Sequence, residues 1–486
     1  MKILFAASEV VPFAKTGGLA DVAGALPKAI KKLGHDIRIV LPLYGGKIDR
    51  AKWGLKQIIA NLEIELGENA ELVNIFECLL PGSDIRVYFV DSRFFSDRKE
   101  LYMLGGKDNP QNFEAFLVFS KAVVNFLNEL KWRPDIIHCN DWQSGLVPLF
   151  VKLQRRKDPA YKRTATVYSV HNMAYQGLFP AEKFGLLGLP ETYLGEDALG
   201  CWEKISFAKG GFLYADVIST VSETYAKEIQ TKEYGAGMDD LLRQRSKDLY
   251  GIINGVDYEV WNPATDKNLV RRYTRNTLSL RPENKAALQE DMELPLDPDT
   301  PLFGIVSRLD AQKGFDILDE AAEDIMGLDL QMCLLGTGDP HYHDLFRRLR
   351  KEHPKKMGVK LGFDAALAEM IYAGSDCFLM PSRYEPCGLG QLIGFKYGCV
   401  PVVRLTGGLA DTVKEYNPRT GKGDGFVFED YSAKELFKAI ELAVKAYQDQ
   451  AKWKKLQQRI MAYDFSWDAS AKKYITLYMK AIDKVI

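Results

Sequence analysis

Lys15 stands directly before Thr16-Gly17-Gly18-Leu19-Ala20-Asp21, a glycine pair that opens an alanine-rich helical stretch. An anion at a helix N-terminus gains about 0.3–2 kcal/mol from the dipole. A lysine ammonium in the same loop adds a charge-assisted bond of roughly 1.5–3 kcal/mol. The chemistry in prospect is phosphate capture, although neither the dinucleotide glycine pattern nor the nucleoside-triphosphate loop is matched. The same six residues return unchanged as Thr406-Gly407-Gly408-Leu409-Ala410-Asp411. Each copy follows a predicted strand and opens a predicted helix. The echo reads either as shared turn chemistry or as two loops, one per domain, offering bare backbone N–H groups to a ligand.

Further along, an apolar run ends in Ser307-Arg308-Leu309-Asp310-Ala311-Gln312-Lys313-Gly314. Arg308 is a planar fork and Lys313 a point charge, a pair suited to clamping a pyrophosphate. The next run ends in Gly336-Thr337-Gly338-Asp339, a loop able to approach a phosphate or ribose closely. Glu385-Pro386-Cys387-Gly388-Leu389-Gly390 follows a third run and places a carboxylate where it can bind sugar hydroxyls or oppose a developing cation. Cys387 lacks a local histidine to act as base, so it reads as a small buried residue packing the site. In the first half, Asp141 closes the run Ile136–Cys139, and His171-Asn172 closes Thr166–Val170. His138, inside its run, reads as a core residue, whereas His171 falls where side chains reach ligands. No His, Cys or carboxylate cluster has metal-ligand spacing.

These groups are positioned by an alternation of short apolar runs with longer amphipathic stretches. Strands are predicted at Lys2–Ala6, Ile37–Leu41, Ile85–Val90, Ile136–Cys139, Thr166–Val170 and Val217–Thr220. A second series runs through Leu302–Val306, Met332–Leu335, Cys377–Met380, Val400–Val403 and Gly425–Val427. Their Val/Ile/Leu content suits strands buried on both faces of a parallel sheet, and helical patterns between them make βα units. Two series predict two doubly wound α/β domains, with ligands beyond the carboxyl ends of the strands. The switch is placed near Asn254, giving domains over 1–253 and 254–465. The tail 466–486 is a terminal helix whose apolar face carries Trp467, Tyr474, Leu477, Met479 and Ile482.

The composition fits this picture. With 486 residues, 64 Lys+Arg against 65 Asp+Glu and 47% apolar residues, the chain is an ordinary globular one. A net charge of −1 offers no bulk attraction to nucleic acid or to an anionic membrane, so an anionic ligand must be held locally. Seven irregularly spaced cysteines favour a reducing compartment. An acid at Glu9 interrupts any leader-like start, and no apolar run reaches the roughly 18 residues of a spanning helix. A soluble, cytoplasmic chain is the expectation.

Taken in order, the motifs closely resemble those of the bacterial glycogen synthase and plant starch synthase family. The resemblance rests on Lys15–Asp21, His138-Cys139-Asn140-Asp141-Trp142, His171-Asn172 and Ile253-Asn254-Gly255-Val256-Asp257. It continues through Ser307-Arg308-Leu309, Gln312-Lys313-Gly314, Glu385–Leu389, Gln391-Leu392, Tyr397-Gly398 and Thr406–Asp411. Ile393 stands where many retaining nucleotide-sugar transferases carry a second Glu, and this family lacks that Glu too.

The resemblance implies two Rossmann-like domains facing across a cleft (the GT-B fold), with the terminal helix returning to the first domain. It implies transfer of glucose from ADP-glucose to the non-reducing end of an α-1,4-glucan, with retention. UDP-glucose is the alternative donor, and no metal or cofactor is expected. By this reading Lys15, His171, Arg308, Lys313 and Glu385 are catalytic. Donor binding would involve Lys15, Gly17, Gly18, Asn254, Arg308, Lys313, Gly336, Gly338, Cys387, Gly388, Leu389, Thr406, Gly407 and Gly408. Asp21, Tyr102, Asp141 and Asn172 would serve the acceptor. Closure would bring Lys15 onto the phosphates held by Arg308 and Lys313, with the departing phosphate taking the acceptor's proton on the front face. The competing readings are a glucosyltransferase acting on a sugar phosphate, a pyridoxal-dependent phosphorylase and a non-catalytic glucan scaffold.

Overall fold

A computed structural model describes residues 1–485, and the chain divides into two compact units. One comprises residues 1–255 together with the chain from Trp467 onward, and the other is Val256–Ser466.

The first unit is built on a nine-stranded sheet. Its strands are β1 (Lys2–Ala6), β2 (Asp36–Pro42), β3 (Lys56–Leu66), β4 (Asn69–Leu79), β5 (Arg86–Asp91), β6 (Ile136–Asn140), β7 (Ala165–Val170), β8 (Val217–Thr220) and β9 (Leu249–Gly251). They lie in the order β9-β8-β7-β6-β1-β2-β5-β4-β3. From β9 to β5 all pairings are parallel. Every predicted strand of this unit forms, because each apolar run is buried on both faces; β6 and β7 are buried throughout. The chain builds outward from β1 on one side, then crosses to β6 on the other. The reversal leaves a crevice at the carboxyl ends of β1 and β6, where ligands bind in such sheets.

Three strands of this sheet, β3, β4 and the short β9, were not foreseen. β3 and β4 form an antiparallel hairpin closing on Gly67-Glu68, with Gly67 at φ 63 as a two-residue turn requires. β3 is exposed at most positions, so its pattern carries little of the apolar signal that reveals a buried strand. The terminal helix, Trp467–Asp483, does form and buries Trp467, Tyr474, Leu477, Tyr478 and Ala481. Met479, predicted on the apolar face, is instead 49% exposed. Two residues on from Leu477 it has turned about 200° around the helix, and Tyr478 takes the inward place. This helix packs on α1 (Gly18–Lys32), and Tyr478 shares a hydrogen bond of 2.8 Å with the buried His138.

The second unit carries a six-stranded parallel sheet of β10 (Leu302–Leu309), β11 (Gln331–Gly338), β12 (Met357–Leu361), β13 (Cys377–Met380), β14 (Val400–Arg404) and β15 (Phe426–Phe428). The order β12-β11-β10-β13-β14-β15 is the 3-2-1-4-5-6 arrangement of a dinucleotide-type fold, reversing between β10 and β13. β12 was missed because Met-Gly-Val-Lys-Leu mixes a glycine and a lysine into a short edge strand. Among the described residues, no helix is long and apolar enough to cross a membrane.

Candidate functional site

In the first unit the β1–α1 loop lies at the reversal point. Its shape is set by a residue the motif reading passed over. Glu9 is buried, and its carboxylate accepts hydrogen bonds from the Thr16 N–H (2.5 Å), the Gly17 N–H (2.9 Å) and the Tyr102 hydroxyl (2.8 Å). Two of the amides expected to be bare are therefore committed to an internal carboxylate. Among the described residues the Gly18 and Leu19 amides, in the first turn of α1, have no protein acceptor, the usual state of a helix N-terminus. Lys15 reaches Asp21 at 2.7 Å, both half exposed, so the pair is a weak and exchangeable one. Tyr102 also meets Ser8 at 2.6 Å. Its hydroxyl, expected to serve an acceptor, braces the loop.

Beside this loop, β6 and β7 deliver Asp141, His171 and Asn172. Asp141 sits at φ 55, a strained conformation for an aspartate, and its Oδ1 accepts the His171 N–H at 2.7 Å. Burial pushes its carboxyl up to about 7, the Glu9 charge adds to the rise, and the His171 N–H partly offsets it. Burial lowers His171 to about 4, so its imidazole is neutral near pH 7. Asn140 donates its amide to the Ala6 carbonyl (3.1 Å), which turns its Oδ1 toward His171 Nε2 at 3.0 Å. That assigns the proton to Nε2 and leaves the Nδ1 lone pair as an acceptor. His138 is wholly buried, paired to Tyr478 and to Ser169 (2.6 Å), and lowered to about 3 by burial. It is structural. Asn172 accepts the Ala174 N–H in a local turn. Asn254, grouped with the donor residues, belongs to this first unit, buried beyond β9 with its Oδ1 unpaired among the described residues.

In the second unit the loops after β10, β11, β13 and β14 gather at one sheet edge. Lys313 and Glu385 flank the reversal between β10 and β13 and meet at 2.7 Å, both largely buried. Ser382 donates to the same Glu385 oxygen at 3.0 Å. Arg308 is more exposed and rests on Asp310 at 3.2 Å. Gln312 ties the two loops, its side-chain amide donating to the Tyr384 carbonyl (3.2 Å) while its backbone carbonyl accepts the Arg383 N–H (2.8 Å). Gly336 and Gly338 pass close to β10; a Cβ on either would lie 2.3 Å from a carbonyl oxygen, of Ser307 and Leu309 respectively. The Gly338 N–H donates to His343 Nε2 at 3.1 Å.

The second copy of the repeated hexapeptide is packed against the Glu385 turn. The Gly408 N–H donates to the carbonyls of Glu385 (3.1 Å) and Pro386 (3.2 Å), and Thr406 is buried. Cys387 is buried too, its carbonyl accepting from Gln391 at 3.1 Å. Gly388, at φ 70, makes the turn into the helix Gly390–Tyr397, with Leu389 at its start. A further residue at this edge escaped sequence reasoning. Phe363, just past β12, is 90% exposed, and the Gly362 N–H donates to the Gly336 carbonyl at 2.8 Å. A lone Phe in a chain with 25 of them carries no sequence signal. Glu323, Glu352 and His353 bring ligand atoms within 4.8 Å of one another among the described residues, a grouping hidden by the distance of Glu323 in sequence. It is a surface cluster with both glutamates exposed, on the helix ends that lead into β11 and β12, opposite the sheet edge that carries Lys313 and Glu385.

Residues 2–244 match the family model for the starch synthase catalytic domain, and residues 289–459 match that for glycosyl transferases group 1. The chain is 45% identical to a glycogen synthase of Thermotoga petrophila, with all of both chains covered. It is 46% identical to one of Desulforudis audaxviator, over all of this chain and 97% of the relative. Its structure resembles the catalytic domain of starch synthase IV from Arabidopsis thaliana, solved bound to ADP and acarbose, with a TM-score of 0.89, 32% identity and 99% of each chain covered. A sucrose-phosphate synthase from Thermosynechococcus elongatus shares the fold at a TM-score of 0.59 and 18% identity, over 98% of each chain.

Proposed function

This chain belongs to the glycogen and starch synthase family of glycosyltransferases, and on that premise we propose that it transfers glucose from ADP-glucose to the non-reducing end of an α-1,4-glucan with retention of configuration. The observation that carries the reading is the buried Lys313–Glu385 pair at the reversal point of the second unit's sheet. A cation and a carboxylate in contact there suit a ligand that is anionic at one end and a hydroxyl-rich sugar at the other. ADP bound to the Arabidopsis relative supports the choice of nucleotide.

In this proposal Arg308 and Lys313 hold the diphosphate, with the loops of Gly336, Gly338, Gly388, Gly407 and Gly408 lining the site around it. Phe363 offers a flat face to the nucleobase. Lys15, Gly17 and Gly18 are assigned to the same leaving group by the chemistry of their loop. Positive charge aimed at a departing phosphate strengthens as negative charge develops, which lowers the barrier. Two or three such contacts at roughly 1.5–3 kcal/mol each supply a substantial share of the typical 8–23 kcal/mol enhancement. Glu385 orients the glucose and favours oxocarbenium character. The Nδ1 lone pair of His171 accepts a sugar hydroxyl. Asp141 is the carboxylate able to exchange a proton near neutral pH, and with Asp21, Tyr102 and Asn172 it is assigned to the acceptor side. The departing phosphate takes the acceptor's proton on the same face of the sugar, which retains configuration without a glycosyl-enzyme. Seven free cysteines, six of them buried, support placement in the cytoplasm.

Measuring glucose transfer to glycogen from ADP-glucose and UDP-glucose side by side tests the reading. Faster use of ADP-glucose, with incorporated glucose released by an α-1,4-specific hydrolase, is expected. Equal use of both donors would remove the nucleotide preference, transfer from neither would overturn the function, and a trapped covalent glycosyl-enzyme would overturn the front-face step.

A further inference from the structure

In the first unit a cavity of about 280 Å³ opens at the other end of the sheet from the residues described above. Its floor is α2 (Val147–Lys157), which starts just past Asp141 at the carboxyl edge and runs back toward the amino edge, where β7 begins. At 1.5 Å per residue, Lys152 and Arg156 lie about 8–14 Å down that helix from its start. Tyr214, at the C-terminal end of α3 (Phe207–Tyr214), closes one side, just ahead of β8. Thr192, Tyr193 and Asp197, from the long connection between β7 and α3, form the rim.

Three features of this lining point to one ligand class. Lys152 and Arg156 are a helical turn apart on one face, and neither has a hydrogen-bonding or ion-pair partner among the described residues. Their neighbour Arg155 shows the contrast, being bound to Asp216 and to the Thr164 carbonyl. Lys152 Nζ only rests over the Tyr214 ring, 5.3 Å from its centroid, an exposed and weak contact. The Tyr193 and Tyr214 rings stand 6.2 Å apart at 41°, an open wedge rather than a stacked pair. Such a wedge offers an apolar face and two hydroxyls to a ring that is not itself planar. Asp197 and Thr192 add an acceptor and a hydroxyl at the rim. The volume lies just below the roughly 300–1,000 Å³ of small-molecule sites, so the ligand is small.

We propose that this cavity binds a single glucose unit carrying a phosphate monoester, with the phosphate held by Lys152 and Arg156 and the pyranose ring resting against the open side of the Tyr193–Tyr214 wedge. Arg156 presents its fork to two phosphate oxygens and Lys152 turns off the Tyr214 ring to meet a third. Asp197 and Thr192 take ring hydroxyls. The same chemistry is presented by a free hexose phosphate and by a phosphorylated residue on a glucan. The site shares no residue with the proposed donor site, so it stands or falls apart from the proposed function.

The test is calorimetric titration of the full chain in saturating ADP, using glucose 6-phosphate, glucose, inorganic phosphate and a maltooligosaccharide with and without a 6-phosphate. Glucose 6-phosphate is expected to bind one to one, at least tenfold more tightly than glucose or inorganic phosphate. Lys152→Ala/Arg156→Ala should weaken it tenfold or more and Tyr214→Ala severalfold, with circular dichroism and ADP affinity unchanged. Tighter binding of the phosphorylated oligosaccharide than of the free ester identifies a glucan-borne phosphate; the reverse identifies a free metabolite. No binding, equal binding of inorganic phosphate, or an unaffected double variant would overturn the proposal. Failure of ADP itself to bind would count against the proposed function and leave the cavity's titration readable.

Discussion

The two copies of Thr-Gly-Gly-Leu-Ala-Asp share every atom of their covalent structure and almost nothing of their surroundings. At Gly17 and Gly18 an added Cβ would meet nothing within 4 Å. At Gly407 it would lie 2.1 Å from the Glu385 carbonyl oxygen, and at Gly408 2.0 Å from that of Cys387. Gly407 also sits at φ 44, whereas Gly17 has an extended backbone at φ −137. One glycine pair is required by the fold. The other is not, and open glycines at the head of a helix are explained by a ligand's need to come close to the main chain. The flanking cations divide likewise, Lys313 sunk against Glu385 and Lys15 half exposed against Asp21.

The contrast breaks most visibly at Gly408. Gly408→Ala is expected to displace the Glu385 turn or prevent folding, read as loss of soluble protein or a melting temperature lowered by many degrees; a variant melting with the wild type would dissolve the distinction. Lys313→Ala should lower kcat/KM at least tenfold, equivalent to roughly 1.4 kcal/mol, and should also destabilise the chain by leaving the Glu385 carboxylate buried without its cation. Steady-state kinetics and thermal melts read both effects.

Histidines sharpen the same division between sealed and edge groups. His138 titrates near 3 in the folded chain against about 6.5 unfolded, so the unfolded state takes up the proton first. Its stabilisation is complete above pH 6.5 and drains as the pH falls toward 3, by up to about 1.4 kcal/mol per pH unit. Asp141, raised to about 7, acts in the opposite sense, losing its contribution as the pH climbs from 3.8 to 7. His138→Asn should be less stable at pH 7.5 yet show a shallower decline in denaturant midpoint between pH 6.5 and 4.5. A slope as steep as the parent's would place the proton uptake elsewhere. Lys15→Ala should cost no more than about 1 kcal/mol, as exposed pairs do, while still slowing transfer. Gly18→Ala is the mildest: melting unchanged or higher by up to about 1 kcal/mol, with kcat/KM reduced severalfold. A Gly18→Ala enzyme at full speed would return those glycines to mere turn chemistry.

What could be read from the sequence follows from what burial does to residue choice. A strand covered on both faces, such as Ile136–Asn140, is mostly apolar and keeps its buried polar side chains, His138 and Asn140, hydrogen-bonded, and its end is visible where Asp141 interrupts the run. The ligand edge inherits that clarity, which is why Lys313, Glu385, Asp141 and His171 could be placed at strand ends beforehand. The hairpin of β3 and β4 is half solvated, and its alternation is diluted by Asn and Glu. Glu9 was passed over because a carboxylate seven residues from Thr16 announces nothing until the loop folds over it. Met479 turns outward because Tyr478 takes the inward stripe, a matter of helical phase that its apolar chemistry does not reveal.

The helix Trp467–Asp483 has a consequence for the birth of the molecule. It packs against α1, reaches His138 through Tyr478, and its Ser470 hydroxyl donates to the Ile253 carbonyl at 2.8 Å. The unit begun by the earliest residues therefore cannot be finished until a segment more than 200 residues downstream has left the ribosome. The intervening unit, Val256–Ser466, is continuous and can close first. Released chains truncated after Ser466 should present a completed second body beside an unsealed first one, reversing the usual order in which domains mature from the N-terminus.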